Sequence, residues 1–242
     1  PHDHHINGSA MAAVGEHFDS AYILMGRSLQ RPFQTGGDVN THKTDAVTTA
    51  MGVTVGYNFN EFGWRGRDSP HLILERYQHH RGLEEIEQRL VAAIRCLRPP
   101  VVVGEQPVMQ EGYYAHGVGD VARAVIAAYE SAGDPSRFPE LSELGLKPYA
   151  PKKLYLATMW PNLMYDVHPM TLRLAPKFGQ DKRLGRTREE ATLEGRQTFW
   201  GLLDRGRPPE TQKPWPGSWS LHLKNSRVEV PSPEKNVFDG IK

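Results

Sequence analysis

One stretch of the sequence, residues 83–104, constrains the fold more than any other. Apolar residues recur in it at spacings of three and four, as on the buried face of an amphipathic helix: Leu83, Ile86, Leu90, Ile94 and Leu97. Pro99 and Pro100 then stop the helix, because proline lacks a backbone N–H and clashes with the preceding turn. Residues 101–104 (VVVG) are short and β-branched, which predicts a buried strand. A helix therefore leads directly into a strand.

The chain up to about residue 160 repeats this alternation. Short apolar runs at residues 21–25 and 153–157 predict two further strands. Residues 120–132 predict a second helix, with Asp120 as its N-cap and Gly133 as its stop. Strands separated by helices of this length typically form a parallel sheet that is covered on both faces. We therefore predict a three-layer α/β/α domain with a mainly parallel sheet.

The last third of the chain has a different composition. Thirteen of the 19 prolines lie from Pro135 onward, and little periodicity remains there. A helix is predicted over residues 187–203, and the alternation in residues 219–223 is typical of an edge strand. We take residues 1–160 as the α/β core and residues 161–242 as a Pro-rich extension packed on that core within the same domain.

Composition and charge exclude several classes of protein. The 242 residues include 29 Lys and Arg against 28 Asp and Glu, so the chain lacks the basic field of a dedicated nucleic-acid-binding protein. No run of about 18 apolar residues is present, which argues against a transmembrane helix. The one cysteine, Cys96, excludes an intramolecular disulfide, and we expect it to be a small buried hydrophobe of the first helix. With no signal peptide in this sequence, we expect a cytoplasmic location.

A histidine-rich cluster at the start of the chain is the first candidate for chemistry. It consists of His2, Asp3, His4 and His5. Imidazole nitrogens and carboxylate oxygens are ligands that suit zinc, and a catalytic zinc site needs three of them with one open position. Histidine-rich termini are also often simply solvated, so both interpretations stay open at this point.

A second candidate is the glycine-containing segment 111–120, which includes Tyr113 and His116. It connects a predicted strand to a predicted helix, and ligands bind in open parallel sheets beyond the carboxyl ends of the strands. An ordinary connection with an exposed histidine fits the same residues equally well. The other histidines, His222 among them, show no metal-ligand spacing, and we expect ordinary surface or core residues.

Several stretches resemble a known family. Residues 132–140 (AGDPSRFPE), then Gly145-Leu146 and residues 151–155 (PKKLY), closely resemble a stretch of the LmbE-like, or PIG-L, deacetylase family. Weaker similarities to the family lie at residues 94–102, 184–187 and 194–196. The resemblance implies a Rossmann-like α/β fold and a zinc-dependent amidase that usually removes acetyl from an N-acetylglucosamine-type sugar.

The family's first motif is His-Pro-Asp-Asp, in which the His and the second Asp hold zinc and the first Asp is the general base. If Gly8 matches the glycine that commonly follows the motif, this sequence is one residue short. His2 then matches the ligand His, Asp3 the base and His4 the ligand Asp. Without a gap, His4 falls on the base and His5 on the ligand Asp. We prefer the gapped register because it keeps a carboxylate as the base.

The family's second motif is His-x-x-His, whose last His is the third zinc ligand. Residues 112–116 resemble its surroundings, which puts His116 on the first His and Gly119 on the position of the last. Counted back from the helix that follows, this motif is also about one residue short. By resemblance, His116 therefore stands for either histidine.

Together these matches imply a hydrolase that uses Zn²⁺ to remove an N-acyl group from an amino sugar or glycoconjugate. Asp3 is the expected base, and His116 either stabilises the oxyanion or completes the zinc shell. By position, Arg27, Glu61 and Tyr113 are the expected substrate contacts.

Two alternatives stay open. The altered motifs favour a catalytically impaired sugar-binding or glycoconjugate-binding protein on the same fold. A weaker alternative is a different metallohydrolase, in which a new partner such as His42 joins His2, His4 and His5.

Overall fold

The computed structural model describes residues 21–24, 27–28, 55–58, 63–64, 83–105, 117–158, 171–174, 180–181, 186–187 and 219–242. The helices in these ranges are α1 (Leu83–Leu97), α2 (Gly117–Ser131) and α3 (Pro139–Glu143). The strands are β1 (Ala21–Leu24), β2 (Arg27–Ser28), β3 (Val55–Asn58), β4 (Gly63–Trp64), β5 (Val101–Glu105), β6 (Lys153–Thr158), β7 (Thr171–Leu174), β8 (Gln180–Asp181), β9 (Arg186–Thr187) and β10 (Trp219–Ser226). The predicted α/β class is confirmed. No helix in the described ranges is long and apolar enough to cross a membrane.

The chain divides into two compact units. One comprises Pro1–Arg65 and Arg173–Trp219, and the other comprises Gly66–Leu172 and Ser220–Lys242. In the first unit β1 pairs with β3 and β2 with β4, both parallel, and β8 pairs with β9 antiparallel. The second unit contains the three helices and most of a sheet with the order β5-β6-β10-β7. The domain boundary at residue 160 stays a prediction.

Helix α1 has the bounds that its apolar spacing predicts. Ile86, Leu90 and Ile94 are buried, together with Val91. The helix ends before the two prolines, as expected, and Arg98 turns the chain by adopting a left-handed conformation with φ of 51°. Its backbone N–H donates to the carbonyl of Ile94 over 2.8 Å, which closes the last turn.

The prediction that Cys96 is buried is wrong. The thiol is exposed, because Cys96 lies seven positions after Arg89 and therefore on the same helix face. That face carries the ion pair between Arg89 and Glu85, with an N–O distance of 2.7 Å. The apolar stripe lies on a different face of the helix.

Helix α2 begins at Gly117, so the prediction that Asp120 is its N-cap is wrong. Asp120 is the fourth residue of the helix and lies inside its first turn. Close packing against β5 is possible because Gly104 has no side chain. A Cβ at Gly104 would lie only 2.9 Å from Cγ1 of Val125 in α2.

The sheet of the second unit is mixed. Strands β5 and β6 are parallel, with Val101 opposite Lys153 and Glu105 opposite Ala157. Strand β10 runs antiparallel to β6. The predicted parallel arrangement therefore holds for β5–β6 and not for β6–β10, while the three-layer arrangement stays a prediction.

Strand β10 is an interior strand, so the prediction of an edge strand at residues 219–223 is wrong. It lies between β6 and β7, and Leu221, His222 and Leu223 are buried in succession. His222 looks like an outward polar residue in the sequence pattern, but it is only 5% exposed. Successive side chains of a strand point to opposite faces, so the burial of all three means that both faces of β10 are covered here.

The predicted helix over residues 187–203 does not begin at Thr187. Thr187 pairs with Gln180 in the short hairpin of β8 and β9. Residues 188–203 lie outside the described residues.

Candidate functional site

Of the expected metal and substrate site, the structure describes the carboxyl end of the parallel strands β5 and β6. Strand β5 ends at Glu105, and helix α2 begins at Gly117, the residue directly after His116. Segment 111–116 thus belongs to the connection between a parallel strand and the next helix. Such connections form the ligand-binding crevice of open α/β sheets.

Most of the predicted site residues lie outside the described residues. They are His2, Asp3, His4, His5, Glu61, Tyr113 and His116. Their roles as metal ligands, base and substrate contacts stay predictions. In the part of the chain that the structure describes, no group of three or more His, Cys, Asp or Glu side chains is arranged to hold a metal ion.

Arg27 is the one predicted substrate contact within the described residues. It lies in β2, where its backbone pairs with Gly63 of β4. Glu61 precedes Gly63 by two positions in the sequence. The segments of both predicted contacts therefore follow the carboxyl ends of β1 and β3, which are parallel partners.

The block that carries the family resemblance, residues 132–140, is held in place by Arg95 of α1. The Arg95 side chain is 2% exposed. Its guanidinium donates to four backbone carbonyls: Ala132 (3.0 Å), Asp134 (2.8 Å), Arg137 (2.8 Å) and Phe138 (3.3 Å). We call residues 132–138 the Arg95 loop. Carbonyls just beyond the end of α2 carry partial negative charge, which suits a buried cation.

Glu87 supports the same loop from α1. Arg137 donates to both of its carboxylate oxygens, over 3.2 and 2.9 Å, and the Ser131 hydroxyl donates to Oε1 over 2.8 Å. Burial alone would raise the pKa of Glu87, but these hydrogen bonds and the Arg137 charge outweigh burial and lower it. Glu87 therefore ties α1 to the end of α2 and to the Arg95 loop.

Sequence reasoning singled out neither Arg95 nor Glu87. The available signal was their spacing: Glu87, Val91 and Arg95 are four residues apart, in line along one face. Val91 is fully buried, and so its two polar neighbours are buried with it.

The polar residues of the Arg95 loop serve its own conformation. The backbone N–H and hydroxyl of Ser136 donate to Oδ1 of Asp134 over 2.8 and 2.7 Å, which forms a local turn. These bonds lower the pKa of Asp134. Phe138 then takes a left-handed conformation with φ of 55°, and Pro139 starts α3. The block thus stabilises the fold through contacts within the second unit.

His222 occupies a core position, one of the two positions expected for it. His222 lies in β10 opposite Leu156 and is buried in the sheet. Burial lowers the pKa of its imidazole, which favours the neutral form.

No family model and no curated protein sequence matches the chain. Among solved structures, it is similar to N,N'-diacetylchitobiose deacetylase from Pyrococcus horikoshii, with a TM-score of 0.55 and 13% identity over 90% of this chain and 79% of that chain. A conserved protein from Thermus thermophilus, TT1542, aligns with a TM-score of 0.48 and 17% identity, over 93% of this chain and 90% of that one. At 13% identity the first likeness shows the fold alone. The chain therefore shares an α/β fold with a deacetylase of known structure.

Proposed function

We propose that the protein is a zinc-dependent hydrolase that removes an N-acyl group, such as acetyl, from an amino sugar or glycoconjugate. The fold shared with N,N'-diacetylchitobiose deacetylase carries the proposal. The resemblance of residues 132–155 to the LmbE-like deacetylase family supports it separately, because it was drawn from the sequence without the fold.

The proposed donors fit zinc by their chemistry. In the preferred register His2 and His4 supply imidazole nitrogens, and His5 takes the place of His4 in the ungapped register. His116 is either the third ligand or a donor to the oxyanion. Histidine nitrogens are common zinc ligands, and three protein ligands leave one position for substrate or water. When bound, the ion polarises the amide carbonyl and brings the pKa of a water molecule to about 7.

The protein's own residues carry the proton transfers in this proposal. Asp3 accepts a proton from the attacking water and delivers it to the amine nitrogen as the C–N bond breaks. The products are the carboxylic acid and the free amino sugar. Arg27, Glu61 and Tyr113 hold the sugar hydroxyls, which orients the amide.

Acetate release from N-acetylglucosaminides by zinc-loaded protein tests the activity. We expect Asp3→Asn to lower turnover about 10²-fold to 10⁴-fold, the usual contribution of a general base. Equal turnover in the wild type and Asp3→Asn would contradict the role of Asp3, and no turnover in either would contradict the activity.

Metal content per chain, measured by mass spectrometry, tests the site independently. We expect about one zinc per chain, lost in a His2→Ala/His4→Ala variant and retained in a His79→Ala control. Retention of metal in a His116→Ala variant would favour the alternative shell that includes His42.

One observation favours a second candidate, a binding protein without turnover. Gly119 stands where the resemblance expects the last motif histidine. This candidate predicts saturable binding of chitobiose or N-acetylglucosamine in a calorimeter, with no release of acetate.

A further inference from the structure

A buried cation, a phenol and a carboxylate meet where the C-terminal segment contacts strand β6. Lys153 and Tyr155 are both 0% exposed, and their spacing of two puts them on one face of the strand. The Lys153 ammonium lies 2.5 Å from Oε1 of Glu234. The Tyr155 hydroxyl donates to the same oxygen and accepts a hydrogen bond from Lys153 over 3.4 Å. Two donors on the sheet thus converge on one carboxylate from residues 227–242, which we call the C-terminal loop.

The C-terminal loop makes its own turn. The Asp239 carboxylate accepts hydrogen bonds from the backbone N–H groups of Lys235 and Asn236, over 2.6 and 3.1 Å. Gly240 has a φ of 80° and packs so closely on Glu229 that a Cβ there would overlap the Glu229 carbonyl oxygen. These contacts close the loop on itself. The loop is therefore folded by its own contacts, and Glu234 projects from it to Lys153 and Tyr155 of β6.

The Glu234 carboxylate is bound by one oxygen. Its other oxygen, Oε2, is buried and has no hydrogen-bond partner within the described ranges. Leaving a buried carboxylate oxygen without a donor is unfavourable, so attraction at Oε1 must compensate. Burial, followed by the bond to Glu234, raises the pKa of the Tyr155 phenol far above its ordinary range, so the hydroxyl stays a donor.

We propose that Lys153 and Tyr155 form a carboxylate-binding site on β6, and that Glu234 is its resident ligand, supplied in cis by the C-terminal loop. The site takes a small monocarboxylate or a carboxylate side chain. A buried ammonium requires an anion, and one carboxylate oxygen accepts from the ammonium and the phenol together. This site goes beyond the proposed hydrolase activity and does not rest on it.

The variant Glu234→Ala turns this proposal into a binding experiment. The substitution removes a CH₂–carboxylate group, which acetate matches in size and charge. Unfolding by urea is measured in sodium acetate and in sodium chloride of equal ionic strength. When acetate reaches ten times its Kd, we expect the unfolding equilibrium constant of the variant to fall about elevenfold. If the variant is unfolded in chloride, recovery of the folded signal on addition of acetate is the expected result.

Three controls give the experiment its specificity. Acetamide has the shape of acetate without the charge and should not stabilise Glu234→Ala. Glu229→Ala removes an exposed glutamate of the same loop and should show no acetate effect. The double variant Lys153→Met/Glu234→Ala lacks the cation and should not respond either.

Two results would overturn the carboxylate site. One is the absence of any acetate-specific stabilisation of Glu234→Ala. The other is an acetate stabilisation of the wild type, where Glu234 fills the site, or of the double variant that equals the stabilisation of Glu234→Ala. Acetate that binds at a catalytic centre would stabilise the wild type and the variant alike. Stabilisation confined to Glu234→Ala therefore reports on the carboxylate site and not on the hydrolase proposal.

Discussion

The positive charges of two buried side chains in the second unit, Arg95 and Lys153, are stabilised in different ways. Arg95 divides its hydrogen bonds among four carbonyls of the Arg95 loop, all within residues 132–138. Lys153 relies on the single carboxylate of Glu234, with the Tyr155 hydroxyl beside it. A charge shared among neighbouring backbone groups requires only that the local chain follow its path. A charge neutralised by one side chain requires a segment distant in the sequence to be in place. The stability of β6 around Lys153 therefore depends on the C-terminal loop being folded against it.

The largest effect should come from Glu234→Leu, which leaves the Lys153 charge buried without its direct partner. We expect a loss of about 4 kcal/mol in the free energy of unfolding. The double variant Lys153→Met/Glu234→Leu should recover most of it, because the uncompensated charge is gone. Urea denaturation of both variants measures this, and an equal loss in the two would show that the ion pair is not the cause.

Gly240→Ala should disturb the C-terminal loop next most strongly, by about 3 kcal/mol, because both its positive φ and the overlap with Glu229 oppose a side chain. Gly145→Ala is the matched control. Gly145 has a φ of 85° but no atom within 4 Å of the added Cβ, so only the conformational cost of about 1 kcal/mol applies. Similar losses of unfolding free energy in the two variants would mean that the backbone at Gly240 moves to accommodate the added methyl group.

Arg95→Lys should cost about 2 kcal/mol, because an ammonium keeps the charge but cannot reach four carbonyls from one rigid fork. Arg89→Lys, at the half-buried i,i+4 ion pair with Glu85, should cost less than about 0.5 kcal/mol because the charge is kept. Thermal unfolding of both variants provides the measurement. Near-equal melting temperatures would show that charge alone, without the geometry of the fork, holds the Arg95 loop.

Acid should weaken the two regions in separate pH windows. Burial lowers the pKa of His222, so the unfolded imidazole, with its ordinary pKa of 6.5, binds a proton first. Stability therefore falls as the pH drops below about 6.5. The pKa of Glu87 is lowered from 4.5 in the folded protein, so its contribution is lost only as the pH falls below about 4.5.

Urea unfolding from about pH 2.5 to pH 8 tests these two windows. His222→Phe, in β10, should remove the change in stability between about pH 6.5 and lower pH. Glu87→Gln, at the Arg95 loop, should remove the change below about pH 4.5. A wild-type stability that does not change between pH 7.5 and 5.5 would contradict the role of His222.

The elements that sequence periodicity predicts well are those with one apolar face or a continuous apolar run. Helix α1 has its predicted bounds because Ile86, Leu90 and Ile94 repeat on one side. The sequence pattern favours an edge position for strand β10 because a histidine interrupts its apolar residues, and periodicity does not distinguish a buried imidazole from a solvated one. The spacing of Arg95 from Val91 indicates burial, but its partners cannot be predicted from the sequence because they are backbone carbonyls.

The candidate site is predicted less from periodicity than from resemblance. The best-matching block, residues 132–140, is a structural loop whose contacts explain its composition without any chemistry. The proposed chemistry depends on the short motifs around Asp3 and His116, where this sequence departs from the family pattern. A loop that stabilises a fold can therefore preserve a resemblance in a chain whose reactive positions have changed.

The interior position of β10 has a consequence for synthesis of the chain. Strand β6 ends at Thr158, but the strand that covers its open edge begins only at Trp219. While the chain grows, the Leu154–Leu156 side of the sheet stays open until the ribosome has released those later residues, as is general for pairings between distant segments. We expect arrested chains that end before residue 219 to be digested rapidly by protease, and chains that expose residue 226 to become resistant in a single step.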